Sequence, residues 1–156
     1  MREKQSKRLL ISVYDYIEKS IILQSIKNGL VMLIPILFIG SFSVILISLP
    51  VDAYQKFISS FLGGTLSNIF MFVKNSTMGF LSVYLTFSIA ICYSRQYMSA
   101  RNFNYGPALT ALMCFCIFSG ILQENFVFNV MGTQGVFTAI VSGLGASMLY
   151  CFLEKS

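Results

Sequence analysis

The chain has no histidine and no tryptophan among its 156 residues. Without histidine it lacks the side chain most used as a general base near neutral pH and as a metal ligand. Charge is scarce as well. Asp, Glu, Lys and Arg make up 11% of the residues, where a soluble domain carries roughly 25%. Carboxylates are too few and too scattered for a glycosidase-type pair, and no nucleophile stands beside a base. No glycine-rich loop is shaped to cradle a phosphate. The four cysteines, Cys92, Cys114, Cys116 and Cys151, all lie in apolar runs. Cys114 and Cys116 are two apart and point to different sides of a helix, so they do not make a zinc-type motif. They read as small apolar packing residues. This inventory disfavours an enzyme acting alone. It leads to the expectation of no catalytic residue, no metal and no cofactor.

What the chain has is hydrocarbon. Apolar residues make up 56% of it, and its mean hydropathy is +0.74. From Asn28 to Pro50 there is no charged residue. At 1.5 Å per helical residue, about 20 such residues cross a hydrocarbon core of roughly 30 Å. A helix is stable there because it satisfies its own backbone hydrogen bonds. The expected class is an all-α polytopic membrane protein: four transmembrane helices, an N-terminal amphipathic helix and an outer interfacial helix. The spans are placed at about 29–49, 77–93, 107–123 and 135–153. Residues 1–8 form a basic tail suited to anionic headgroups. Residues 9–28 carry Leu10, Val13, Tyr14, Ile17 and Ile21 at helical spacing and read as the amphipathic cytoplasmic helix. Residues 29–156 form the membrane domain. The polar stretch through Glu18 and Lys19 and the length of the apolar run after it do not match a cleavable leader.

The segment 57–73 is uncharged and long enough for a helix, but Ser59, Ser60, Gly63, Gly64, Thr65, Ser67 and Asn68 make it a poor span. Charge decides its placement. With four spans, Arg2, Lys4, Lys7, Arg8, Lys19, Lys27, Arg95, Arg101 and Lys155 lie on one side, against Lys56 and Lys74 on the other. That distribution puts both termini in the cytoplasm by the positive-inside rule. It explains the net charge of +5 without nucleic acid, since the basic residues flank spans and form no soluble patch. Asp52 and Glu124 fall at span ends on the outer side, where a hydrated carboxylate costs little.

Several residues are expected to shape and pack helices. Pro35 lies about one and a half turns inside the first span and removes a backbone donor, so a bend is expected there. Pro107 suits the first turn of the third span. Ala139, Gly143 and Ser147 recur every four residues, as do Ser142 and Ala146, a spacing that lets helices approach closely in lipid. Ser41, Ser43, Ser82, Thr86, Ser88, Thr110, Ser119, Thr138 and Ser142 lie within spans and are expected to hydrogen-bond between helices. Asn75-Ser76-Thr77 matches a glycosylation pattern by chance.

Three segments in order resemble one family. The first is SIKNGLVMLIPILFIGSFSVILISLP, with Gly29, Pro35, Gly40, Ser41 and Pro50. The second is YGPALTALMCF at 105–115. The third is MGTQGVFTAIVSGLGASMLYCFLEK, with Gly132, Gly135, Phe137, Ala139 and Gly143. Together they resemble the N-terminal half of enzyme IIC, the membrane subunit of the phosphoenolpyruvate-dependent sugar phosphotransferase system, in its cellobiose/lactose/diacetylchitobiose branch. The resemblance runs from about Leu10 to Lys155. It implies a bacterial cell-membrane permease subunit that binds a disaccharide and presents it to a phosphorylated cytoplasmic partner of the enzyme IIB type. In that family the first half builds scaffold and dimer interface, while the sugar-contacting hairpins and the histidine and glutamate lie in the second half. The expectation is therefore a chain truncated before its sugar-binding half and not competent for transport alone. It would work as a homodimer or with the missing C-terminal half. The alternative is a membrane sensor or anchor module derived from enzyme IIC and attached to a cytoplasmic signalling domain.

Overall fold

In a computed structural model the described residues are 20–49, 65–98, 104–121 and 128–155, with single helical positions at 56 and 60. Among them there are helices and turns and no strand.

Helix α1 runs Ile21–Ser48, 28 residues, or about 42 Å. It passes through Pro35 as one element. It stops where the next proline dictates. Leu49, just before Pro50, is extended at φ −64° and ψ 114°, the region to which a following proline confines a residue. The expected border between an amphipathic helix ending at 28 and a span starting at 29 falls inside this continuous rod. The basic tail and residues 9–19 lie outside the described residues.

Helix α2 spans Thr65–Met78 and α3 spans Leu81–Tyr97. They meet at Gly79–Phe80 with a bend of 43°. The Gly79 N–H closes the last turn of α2 on the Asn75 carbonyl at 2.9 Å. This corrects two expectations. The helix placed at 57–73 continues to Met78, and the span placed at 77–93 is not one unbroken helix from its start. Of the segment 50–64, only positions 56 and 60 are described.

Helix α4 spans Gly106–Phe118, 13 residues, about 20 Å. Pro107 sits in its first turn. The span expected here ran to 123, yet the helix ends at Phe118. Gly120 adopts φ 66°, the left-handed conformation that glycine takes without a Cβ penalty. Its N–H reaches the Ile117 carbonyl at 3.1 Å, and the Ile121 N–H reaches the Cys116 carbonyl at 3.4 Å. This pair of bonds is the Schellman helix stop. Two short 3₁₀ turns, Phe128–Met131 and Thr133–Gly135, lead into α5, Val136–Lys155.

By length and apolarity, α1 and the helix Thr133–Glu154 can each cross a bilayer, and α2 with α3 make a third crossing if the bent pair is one span. Helix α4 is apolar but short.

Helix α3 is the hub, packed by α1, α4 and α5; α4 also lies on α5, and α1 on α2. The directions follow from the crossing points. Gly29 of α1 faces Ile89 of α3, while Gly40 faces Thr77 of α2, so the α2–α3 pair runs antiparallel to α1. Gly135 lies against Ser82 and Gly143 against Thr86, so α5 runs parallel to α3. Gly106 lies against Tyr150, so the start of α4 meets the end of α5. Leu33, Leu85, Ile89, Phe115 and Ala139 form one core cluster, and Ala90, Ile91, Ala108, Ala111 and Ala146 another. The outward faces are apolar too: Phe38, Ile117, Phe137 and Phe152 are each about 70% exposed or more. A soluble fold buries such side chains. A lipid-facing bundle presents them, and saves its small residues for helix contacts.

Candidate functional site

Most residues singled out in the sequence lie at helix crossings. A Cβ on Gly29 would sit 2.7 Å from Ile89 Cγ1 and 3.1 Å from the Ile89 backbone. At the same crossing the Ser88 hydroxyl donates to the Gly29 carbonyl at 2.8 Å. On Gly40 a Cβ would collide with Thr77 Oγ1 and stand 3.0 Å from its Cβ. A Cβ on Gly143 would come 3.1 Å from the Thr86 carbonyl oxygen, and one on Gly135 would run into the Val130 carbonyl oxygen. The buried Ser82 hydroxyl donates to the carbonyl of Gly132 in a very short contact. Ala139, Ser147 and Pro107 are buried. Pro35 is exposed, on the outward side of α1. Gly106 belongs with these positions and the sequence reading missed it. Its missing Cβ admits the Tyr150 ring, but nothing in the local sequence identifies a partner 44 residues away.

Most of the hydroxyls named in the sequence donate to a backbone carbonyl. Ser43, Thr86, Thr110 and Ser142 each donate to the carbonyl four residues earlier in their own helix, at 2.7–3.1 Å, and Ser41 donates to Phe38 at 3.0 Å. Ser25 and Ser147 do the same at 2.6 Å. Ser82 and Ser88 reach across to another element. The expectation of bonds to another element thus holds at Ser82 and Ser88, while Ser41, Ser43, Thr86, Thr110 and Ser142 back-bond within a helix. Two side chains stand apart. Ser119 Oγ and both polar atoms of Gln96 are buried without a hydrogen-bond partner.

A cavity of about 770 Å³ lies along α4 and the turn after it, lined by Leu109, Leu112, Met113, Cys116, Ile117, Gly120 and Ile121. These positions recur three and four apart, so they form one stripe of α4. A sugar needs donors and acceptors on its pocket walls; this lining offers side chains of hydrocarbon and sulfur. Among the described residues no group of three His, Cys, Asp or Glu could hold a metal. Cys92, Cys114, Cys116 and Cys151 are free thiols.

Polar chemistry gathers at one end. The helix directions bring the start of α1, the end of α3, the start of α4 and the end of α5 to the same side. Lys27 and Arg95 are exposed there, and Tyr97 and Tyr105 are 40% and 59% exposed. Asn104 Nδ2 donates to Glu154 Oε1 at 3.0 Å, while its Oδ1 accepts the Gly106 N–H at 2.9 Å. The polar side chain thereby joins α5 to the first turn of α4. Among the described residues this end carries Lys27, Arg95 and Lys155 against Glu154, and Lys74 of α2 lies towards the other end.

No family model matches the chain. The Lichenan permease IIC component of Bacillus subtilis is 24% identical over 139 residues, covering 82% of this chain and 31% of that protein. The PTS system lactose-specific EIICB component of Staphylococcus epidermidis is 24% identical over 149 residues, covering 91% of this chain and 25% of that one. The crystal structure of the transporter ChbC, the IIC component from the N,N'-diacetylchitobiose-specific phosphotransferase system, shares the fold. It matches with a TM-score of 0.80 at 22% identity, over 94% of this chain and 37% of that one. The chain resembles phosphotransferase-system IIC components in sequence and in fold. The chain spans about a third of the length of the Lichenan permease and less of the lactose component. This likeness to part of a IIC component accords with the three ordered motifs. It carries the helical bundle, and it assigns no residue of this chain to sugar.

Proposed function

We propose that these residues form the membrane scaffold of a IIC-type sugar permease of the phosphoenolpyruvate-dependent phosphotransferase system. The observation that carries this reading is the 0.80 match to the ChbC fold over nearly all of this chain but 37% of that transporter. The chemistry agrees. Ser82, Thr86, Ser88 and Ser142 are committed to backbone carbonyls, and the cavity on α4 is apolar. This part therefore holds helices in place, and sugar contacts come from residues it does not contain. By itself it does not transport. It works with the sugar-binding remainder of a IIC subunit or with a second copy. A IIB-type subunit takes the sugar from the cytoplasmic side, as the combined name of the EIICB relatives suggests. The bundle sits in a bacterial cell membrane with both termini in the cytoplasm. The concentration of basic residues at that end supports this orientation. The role of Gly29, Gly40, Gly135, Ala139, Gly143 and Ser147 in this scaffold is close helix packing, while Pro35 shapes α1 and Pro107 starts α4.

The test is equilibrium binding of radiolabelled cellobiose and diacetylchitobiose to the purified chain in detergent. No saturable binding is expected. Saturable retention of either sugar would overturn the scaffold reading, because the segment would then hold a sugar site of its own.

A further inference from the structure

The helices of the bundle end at two different heights. Gly29 of α1 faces Ile89 of α3, and Gly40 faces Thr77 of α2. Eleven residues along α1 thus match twelve along α2 and α3, which sets a common scale of height. Ser82 comes seven residues before Ile89, about 10 Å further from the Lys27 end. The turns that open α5 lie at that height: the Ser82 hydroxyl holds the Gly132 carbonyl, and Gly135 packs on Ser82. Helix α4 starts beside Tyr150 and has 13 residues, so it ends close to the start of α5. Helix α1 goes on to Ser48, nineteen residues past Gly29, or about 28 Å. The turns therefore stand about 18 Å short of its end.

That step falls within hydrocarbon, because α1 rises past the turns inside a run that has no charged residue from Asn28 to Pro50. Non-helical backbone at membrane depth is stable only inside protein or against water. Thr133 and Gln134 are exposed. Lys74 and Asn75, exposed on α2, add polar groups over the same step. The far side of α1 is hydrocarbon. Val31, Ile34, Phe38 and Ile45 are exposed there at helical spacing, turned away from the buried Gly29, Leu33, Gly40 and Ser43.

We infer that water fills a one-sided recess over the turns at Gly132–Gly135, walled by α1 and α2 and open at the end of the bundle opposite Lys27. Lipid lines the far side of α1 along its whole length, while on the other side water reaches about 18 Å below the end of α1. The recess requires only that the bundle lies in a membrane and is independent of any part in sugar transport.

The experiment is alkylation of the full chain by a charged maleimide in lipid nanodiscs, where both faces of the bilayer are open to reagent. With the four native cysteines replaced by alanine, single cysteines are placed at Thr133, Gln134 and Ile45, and each rate is divided by its rate in SDS. Thr133→Cys and Gln134→Cys are expected to react at least about tenfold faster than Ile45→Cys, because a charged reagent is excluded from hydrocarbon. This order runs against height, since Ile45 lies nearer the end of α1. Fast reaction at Ile45→Cys would overturn the recess, because the end of α1 would then stand clear of lipid. Reaction at Thr133→Cys and Gln134→Cys as slow as at Ile45→Cys would overturn it too, since the turns would then be covered. Should the variants fail to fold, hydroxyl-radical footprinting of the parent chain decides. Met131, partly buried beside the turns, is expected to oxidise severalfold faster than the more exposed Met32 and Met113. Equal or slower oxidation of Met131 would count against the recess.

Discussion

At the scale of single residues, the glycines at crossings and the buried amide of Gln96 make opposite predictions. Gly29→Ala adds one methyl group where Ile89 Cγ1 would be 2.7 Å away and the Ile89 backbone 3.1 Å away. The side chain can rotate, but the backbone cannot, so α1 and α3 must separate. Their shared bond from Ser88 to the Gly29 carbonyl lengthens as they do. Overpacking of this kind costs about 1–3 kcal/mol. We expect a lower apparent Tm for Gly29→Ala in detergent. Gly145 is the internal control, because a Cβ there meets nothing within 4 Å, and Gly145→Ala should hold or raise the Tm. Gln96 lies the other way. Its amide is buried with neither polar atom paired, and such a group costs about 1–3 kcal/mol. Gln96→Leu keeps much of the volume and removes the unpaired atoms. It should raise the Tm, and a fall would show that the amide finds a partner in the membrane-bound protein.

At the scale of elements, the sequence disclosed where apolar helices lie better than where they stop. Runs of uncharged residues marked α1, α3, α4 and α5, because lipid demands them. Two stops were legible by chemistry: Pro50 forces Leu49 out of the helix, and Pro107 opens α4. Two were not. The break at Gly79–Phe80 follows the polar run Lys74–Thr77, which marks a boundary but not a bend, and one glycine between apolar residues carries little signal by itself. The stop at Gly120 was readable in principle, since a glycine after an apolar run is the commonest helix terminator. The continuing Ile121 and the pull of a full-length span hid it. The candidate site followed the same division. Gly29, Gly40, Gly135 and Gly143 could be marked as small, but their partners Ile89, Thr77, Val130 and Thr86 come from tertiary geometry. Gly120 also gives this scale its prediction. With φ at 66°, Gly120→Ala forces a left-handed alanine and should cost about 1–2 kcal/mol. Gly120→Asn should cost less, because asparagine tolerates that conformation. Thermal unfolding of both variants in one detergent checks the order; equal losses would mean that bulk, and not backbone conformation, is what the turn excludes.

At the scale of the whole molecule, charge and helix direction are two independent lines that meet. The directions come from packed pairs, Gly29 with Ile89, Gly143 with Thr86 and Gly106 with Tyr150, and make no use of charge. They bring Lys27, Arg95 and Glu154 to one end and leave Lys74 towards the other. The charge count alone sorts the basic residues in the same way. A bundle whose described basic residues gather mostly at one end has a preferred orientation, because moving basic residues across a membrane opposes the potential at about 2.3 kcal/mol per charge per 100 mV. In a variant with all four native cysteines replaced by alanine, a single cysteine at Tyr105 or Lys155 should resist an impermeant maleimide in intact cells and react once the membrane is opened. A cysteine at Lys74 should react before opening. Labelling of Lys155→Cys in intact cells would reverse the orientation and with it the side from which a IIB-type subunit could reach this scaffold. Labelling of Lys74→Cys only after opening would leave the ends in place and make α2 and α3 two separate elements that do not cross as one bent span.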